Sequence, residues 1–336
     1  MDKHQHKLDQ AARAAWLSCV GGCTQDEIAT HLGVSRPGVQ RLLALARQEG
    51  MIRIEIDHPI AGCMALSQAI AERFDLEFCD VVPALPEGIG VEADTTRMIA
   101  RAGADRLAHY IDRSESLTLS LSTGRTVRAT VEALGRIDRP RHRFVSLVGN
   151  IARDGSANRY DGVMLLADKT GARRFLLPAP VFAATVAEKE ALLSQHLLKA
   201  ICQVAMEAEA GFLGIGRIDR QATLFQDHFI SEAERDELLK AGAVGELLGW
   251  PLNARGQLVD TPITRRLTSL PLQRLTGQKL IGLAGGHSKG PAVLAALRGG
   301  WIRGLVTDEQ AARYVLKHEK GRQRRHRCPV QSIRSA

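Results

Sequence analysis

The sequence predicts an α/β protein in two parts. A small N-terminal unit of three helices ends in a strand, and a larger unit is built on a mostly parallel sheet with helices on both faces. Three observations carry this. Residues 7–48 hold three helix-length segments whose apolar residues recur at helical spacing, punctuated by Gly21-Gly22 and Gly33. From Met64 onward, short apolar runs of strand length alternate with helix-length segments. A chain of 336 residues with 45% hydrophobic content is long enough for two domains, each with its own core.

In the first unit, residues 7–20 predict a helix with Ala11, Ala14, Ala15 and Trp16 toward the core. Thr24 and Glu27 have the spacing of a capping box, so a second helix starts there. Its apolar face is Ile28, Ala29 and Leu32, Gly33 ends it, and Val34 is the buried residue of the turn. Ser35 caps a third helix with Val39, Leu42, Leu43 and Ala46 on its inner face. Its outer face carries Arg36, Gln40, Arg41 and Arg47. This is the layout of a DNA-reading helix-turn-helix. Arg and Gln near the start of the second helix of such a pair can each bond a base edge through two atoms. Ser35, Arg36, Gln40 and Arg41 are therefore the candidate DNA contacts, with Thr24 and Arg53 as phosphate partners. The plainer alternative is a surface helix pair with solvated charges. After Gly50, Met51–Ile56 alternates apolar and charged residues and predicts a strand, making the motif a winged one. The domains are placed at residues 1–57 and 63–318, with 58–62 as a linker around Pro59 and Gly62.

In the larger unit, strands are predicted at 76–82, 117–121, 144–148, 174–177, 211–215, 279–283 and 302–306. Helices fall at 64–73, 91–113, 126–135, 158–168, 188–207, 231–241, 288–298 and 308–317. Ligands of such sheets bind beyond the carboxyl ends of the strands. Two strand-to-helix loops stand out there. Ser122-Thr123-Gly124-Arg125-Thr126 offers hydroxyls and free amides at a helix start, which suits an anion; an ordinary turn has the same composition. Ala284-Gly285-Gly286-His287-Ser288-Lys289 combines two glycines with a cation that can meet a phosphate or carboxylate, unless Lys289 is simply exposed. Gly214 to Asp219 is not a dinucleotide fingerprint, and Glu246 within Gly245–Gly249 can accept sugar hydroxyls from the same sheet edge, or be a surface side chain.

Charge and composition bound the rest. The net charge is +8, but residues 317–336 hold seven Lys/Arg and one Glu, so most of the excess lies in a basic tail. That tail, 319–336, is read as a disordered solvated end or as added phosphate affinity. Residues 1–57 are neutral overall, so DNA recognition must come from where charges sit. The six cysteines match no zinc spacing, no metal cluster or catalytic set emerges, and no cofactor is expected. The polar start and the lack of a long apolar run predict a cytoplasmic protein with no membrane partner.

These pieces together resemble the SorC family, also called the sugar-binding DeoR-type family, of bacterial transcriptional regulators. The resemblance runs from about residue 8 to 317. It rests on TQDEIATHLGVSRPGVQRLLALARQEGMIRI at the N-terminus, then on LSTGRTV, FVSLVGN, LLPAP, GFLGIG, AGAVGELLG, LIGLAGGHSKGPAVLAALRGG and LVTDEQAA in that order. It implies a winged helix-turn-helix that binds double-stranded operator DNA. It also implies a Rossmann-like α/β effector domain similar to the sugar-phosphate isomerase and deaminase fold, used for binding and not catalysis. The implied effector is a sugar, sugar alcohol or phosphosugar, and the implied assembly is a dimer or tetramer. In phosphosugar-binding members the loop matching Ser122, Thr123, Gly124, Arg125 and Thr126 holds a phosphate. The lysine matching Lys289 contacts ligand, and Asn158 and Glu246 fall near the pocket. Residues 153–158 lack the lysine that one branch uses for a covalent imine, so a non-covalent effector is expected. Thr123 stands where many sugar-responsive members carry an aromatic residue, which leaves free and phosphorylated sugars both open. An enzyme of the isomerase or deaminase type with an added N-terminal domain is the alternative.

Overall fold

The computed structural model describes residues 3–52, 59–84, 91–152 and 155–319. Residues 51 and 52 of the expected strand at 51–56 are not strand, and its residues 53–56 with Arg53, residues 153–154 and the basic tail from residue 320 lie outside the described residues. Backbone contacts divide the chain into Met1–His58 and Pro59–Ala336.

The first unit is α1 (Lys3–Cys19), α2 (Gln25–Leu32) and α3 (Arg36–Gln48). Thr24 Oγ1 accepts from the Glu27 amide at 3.4 Å, and Glu27 Oε2 accepts from the Thr24 amide at 2.7 Å, which completes the capping box. Gly33 closes α2 at φ 63°, and Ser35 Oγ caps α3 by accepting from the Gly38 amide at 3.3 Å. The core is Ala11, Ala14, Ala15, Ile28, Val39, Leu42, Leu43 and Ala46. Two expectations fail. Trp16 is 60% exposed, because at about 100° per residue it stands roughly 140° around α1 from Ala11, off the face that Ala11, Ala14 and Ala15 turn to the core. Val34 is half-buried, packed at the edge of that core and not within it.

The second unit begins with α4 (Pro59–Phe74), so residues 59–62, expected as a linker, are helical. Proline is tolerated in the first turn of a helix, where its missing N–H leaves no bond unmade. Then follow β1 (Phe78–Val82), α5 (Val91–Ile111), β2 (Thr118–Leu121), α6 (Arg125–Ala133), β3 (Arg143–Ile151), α7 (Val163–Thr170) and β4 (Arg173–Pro180). After these come α8 (Val186–Ser194), α9 (His196–Met206), β5 (Ala210–Arg217), α10 (Thr223–Gln226), α11 (Glu232–Lys240), β6 (Ala243–Leu247) and β7 (Trp250–Asn253). The unit closes with β8 (Lys279–Leu283), α12 (Gly290–Arg298), β9 (Gly304–Asp308) and α13 (Glu309–His318).

The strands run β1-β9-β8-β5-β2-β3-β4, all parallel along this path. Successive residues serve opposite faces: Leu280 and Leu305 pack into one core, Ile281 and Val306 into the other. Helices α5, α6 and α7 bury the second core with Phe144 and Phe212 at its centre, and α4, α9, α12 and α13 contribute to the first. Emptying such a fully buried site, for example Leu→Ala, costs about 2–5 kcal/mol.

Three elements depart from the sequence reading. The helix expected at 158–168 starts only at Val163, because Asn158 and Asp161 fold the preceding residues into turns by accepting from the Tyr160 and Val163 amides. The helix expected at 188–207 is two, broken at Gln195, whose backbone is extended (φ −63°, ψ 139°). Third, Gly245–Gly249 is no loop: β6 and β7 form an antiparallel hairpin. β6 pairs with residues 215–217 of β5 beyond the point where β5 leaves the parallel sheet.

Candidate functional site

A cleft of about 100 Å³ lies over the carboxyl ends of β2 and β5. The chain order reverses there: β2 leads outward to β3 and β4, and β5 returns to the other side of β2. Loops on either side diverge at such a point and leave room for a ligand.

One wall is the start of α6. Thr123, Gly124, Arg125 and Thr126 line the cleft. Ser122 does not; it is 3% exposed, and its hydroxyl accepts from the Gly214 amide at 2.9 Å, tying β2 to β5. Gly124 donates to the Tyr160 carbonyl at 3.3 Å, which docks the 158–161 loop against this wall. Asn158 lines the cleft and holds that loop through the Tyr160 amide at 3.0 Å. The Arg125 guanidinium sits 5.6 Å from the Tyr160 ring centre and 3.9 Å from the Asp227 carboxylate.

The facing wall comes from β5 and the hairpin. Glu246 reaches into the cleft from β6, and Gly216 opposite it leaves the space: a Cβ there would stand 1.9 Å from Glu246 Oε1. Glu246 Oε2 accepts from the Gly249 amide at 2.7 Å. Although its residue surface is not fully covered, desolvation of its carboxyl dominates and raises its pKa to about 7; the Gly249 amide and the Lys289 charge pull the other way. Near neutral pH this group therefore exists in both forms, able to donate to or accept from a hydroxyl.

Lys289 lines the cleft from the 3-10 turn 287–289 that precedes α12. Gly285 and Gly286, expected beside it, do not line the cleft. Gly285 packs against Ile99 and Asp308 instead. Arg217, at the end of β5, is 8% exposed and lines the cleft. It donates to Gln221 Oε1 at 2.6 Å and to Ser288 Oγ, and pairs with Asp219 at 3.2 Å. It thus holds the turn that carries Lys289. Sequence reasoning passed over Arg217, Thr96, Tyr160, Gln221 and the apolar Leu224, Phe229 and Leu248, which also line the cleft. The Gly-x-Gly-Arg run at a strand end was the available signal for Arg217. Nothing local marks the others.

The described residues hold no group of His, Cys, Asp and Glu fit for a metal ion. No helix among them is long and apolar enough to cross a membrane.

In the first unit Thr24, Ser35, Arg36, Gln40 and Arg41 are all exposed along α2 and α3. The hydroxyls of Thr24 and Ser35 serve as caps. Arg36 lies 3.6 Å from Asp26, Gln40 donates to Gln25 at 3.3 Å, and Arg41 donates back to the Pro37 carbonyl at 3.3 Å. These are weak, solvent-facing contacts that a stronger acceptor can displace.

Comparison with known proteins places both units in one context. Residues 58–317 match the Sugar-bind family, a sugar-binding domain. The erythritol catabolism regulatory protein EryD of Brucella abortus (strain 2308) is 34% identical over 93% of this chain and 98% of its own length. The transcriptional regulator LsrR of Enterobacter sp. (strain 638) is 33% identical over 91% of this chain and 92% of its own. Among solved structures, the full-length sorbitol operon regulator SorC from Klebsiella pneumoniae superposes with a TM-score of 0.69. That match covers 92% of this chain and 99% of that one, at 24% identity, a likeness of fold. With 260 residues matched and regulator relatives above 30% identity along nearly the whole length, the chain belongs to the SorC-type family of sugar-binding transcriptional regulators.

Proposed function

We propose that a sugar, polyol or phosphosugar, held non-covalently in the cleft, sets how tightly the N-terminal helix pair grips double-stranded operator DNA. The observation that carries this is the meeting of opposite chemistries in one cleft. The amide-rich start of α6 with Arg125, together with Lys289, suits an anion, and Glu246 suits hydroxyls. A ligand with hydroxyls along its length and a phosphate at one end satisfies both. The surplus of cations favours the phosphorylated form. The 34% identity to a regulator named for erythritol catabolism supports a short polyol and a carbohydrate catabolic operon.

Residues 1–57 then act as the DNA-binding domain and 63–318 as the effector domain, in a dimer or tetramer whose paired helices read two half-sites. Ser35, Arg36, Gln40 and Arg41 face the bases, and Thr24 and Arg53 the phosphates. Ser122 and Gly285 support the pocket from behind, and Gly286, at φ 97°, turns the chain toward Lys289. To change operator affinity tenfold, the effector must prefer one arrangement of the assembly by about 1.4 kcal/mol.

The test is fluorescence anisotropy on a labelled promoter fragment, titrated with erythritol, other polyols, sugars and their phosphates. One of these shifts the DNA-binding curve, and Lys289→Ala weakens that shift while leaving effector-free DNA binding at the parent value. If no carbohydrate moves the curve, or Lys289→Ala responds like the parent, the reading fails. Turnover of any phosphosugar by the purified protein would favour an enzyme instead.

A further inference from the structure

A second cavity, of about 490 Å³, lies between α8, α9 and the segment 268–274, and it shares no lining residue with the effector cleft. Its size falls within the ~300–1,000 Å³ of small-molecule sites. Its walls are apolar, formed by Leu193, Met206, Leu270 and Pro271. Cys202 adds to them: burial pushes its thiol pKa up, so it packs as a neutral group.

Among the described residues, three cations line it, Lys189, Lys199 and Arg274, beside the neutral Gln203, Thr268 and Ser269, and no carboxylate does. Burial lowers the Lys189 pKa, and its ammonium donates to the Arg265 carbonyl at 3.1 Å and stands 5.8 Å from the Trp250 ring centre. Lys199 and Arg274 are exposed at the cavity edge. Ser269 lies 2% exposed, and its hydroxyl has no partner within the protein. A buried hydroxyl left without a partner costs about 1–3 kcal/mol, and the Ser269 oxygen, itself covered, becomes available to a ligand when the side chain turns toward the cavity that its residue lines. Backbone bonds fix it there: the flanking Thr268 and Leu270 amides donate to the Val181 and Leu147 carbonyls at 3.0 and 3.2 Å.

We infer that this cavity is a second ligand site, taking a small anionic amphiphile. The apolar body lies against Leu193, Met206 and Leu270, and its carboxylate, sulfonate or phosphate faces the three cations and accepts from Ser269 once that side chain turns toward the cavity. Such a ligand is chemically distinct from the polar carbohydrate expected in the effector cleft, so the protein would sense two classes of small molecule.

The probe is 1-anilinonaphthalene-8-sulfonate, titrated into the full-length protein and followed by fluorescence, with octanoate and uncharged 1-octanol as competitors. Octanoate displaces the dye and 1-octanol at the same concentration does not. Lys199→Glu with Arg274→Glu, both on exposed positions, weakens dye binding roughly tenfold, the scale of two lost surface ion pairs. Ser269→Ala weakens dye binding while leaving the ligand-free melting temperature unchanged or higher, because it removes an unpaired hydroxyl. Lys289→Ala, in the effector cleft, leaves dye binding at the parent value. The inference is overturned if no saturable dye binding occurs, if 1-octanol competes as well as octanoate, or if the double variant binds dye like the parent. It is also overturned if the double variant breaks an oligomer in sedimentation velocity without changing dye affinity, which would make the cavity a subunit contact.

Discussion

Both candidate sites depend on arginine, and they use it in opposite ways. On the helix pair, Arg36 and Arg41 are exposed and held by single long contacts, 3.6 Å to Asp26 and 3.3 Å to the Pro37 carbonyl. In the cleft, Arg217 is 8% exposed and bonds Ser288, Gln221 and Asp219 at once. The first arrangement leaves donors loosely engaged for an external partner. The second uses its donors up in fixing the walls. A surface that must meet a polyanion gains from uncommitted side chains, whereas a pocket that must discriminate small molecules gains from rigid ones.

The contrast can be broken by substitution. The largest effect is expected from Gly216→Ala, because the added methyl collides with Glu246 and pushes its carboxyl off the Gly249 amide and into the open cleft. We expect loss of the effector response, with at most about 1 kcal/mol of stability lost by denaturant titration. A variant with full response would show that Glu246 does not need its present position.

Glu246→Gln probes the same wall through pH. The carboxyl pKa is raised in the folded state to about 7. Its contribution is therefore fully present below the unfolded value near 4.5 and is lost as pH rises through 7. The variant should match the parent near pH 4 and exceed it at pH 8 by on the order of 1–3 kcal/mol. Melting curves across that range check the sign, and a variant less stable at pH 8 would contradict it.

On the helix pair, Arg41→Ala should weaken specific DNA binding by about 1–3 kcal/mol and leave the melting temperature alone, since the side chain is exposed. Equal loss on scrambled DNA would reassign it to the phosphates. The smallest effect belongs to Thr24→Ala, which removes half of the capping box and should cost about 1 kcal/mol. Circular dichroism melts of the full chain would detect it, and no change would mean that Glu27 alone holds the helix start.

The same contrast explains what the sequence disclosed. The helix pair was legible because its determinants are local: Thr24 with Glu27, Gly33, and Ser35 with Gly38 all lie within one turn of each other. The strand order of the larger unit is not written in any one segment, yet alternation of strand and helix was enough for the class of sheet. The cleft was partly legible. Thr123 to Thr126, Asn158, Glu246 and Lys289 converge, whereas Gly285 serves packing and Gly286, at φ 97° with open space beside it, serves the turn of the chain. Trp16 was assigned to the core by its apolar character, although helical spacing sets it off the face of Ala11, Ala14 and Ala15. The break at Gln195 has no glycine or proline to announce it.

The hairpin escaped for a reason of its own. Its two-residue turn needs positive φ at both positions, and the chain supplies Leu248 at 56° and Gly249 at 83°. Leucine is a poor choice for that conformation, where asparagine or glycine is the usual signal. Leu248 is nevertheless 3% exposed and lines the cleft. Two evolutionary pressures therefore pull against each other at this position. The core decides the contest: Leu248 packs among buried apolar side chains, and removing a fully buried leucine costs about 2–5 kcal/mol, more than the roughly 1–3 kcal/mol of its backbone conformation. Thermostable descendants obtained in the laboratory are expected to keep leucine here even when the effector response is not demanded of them.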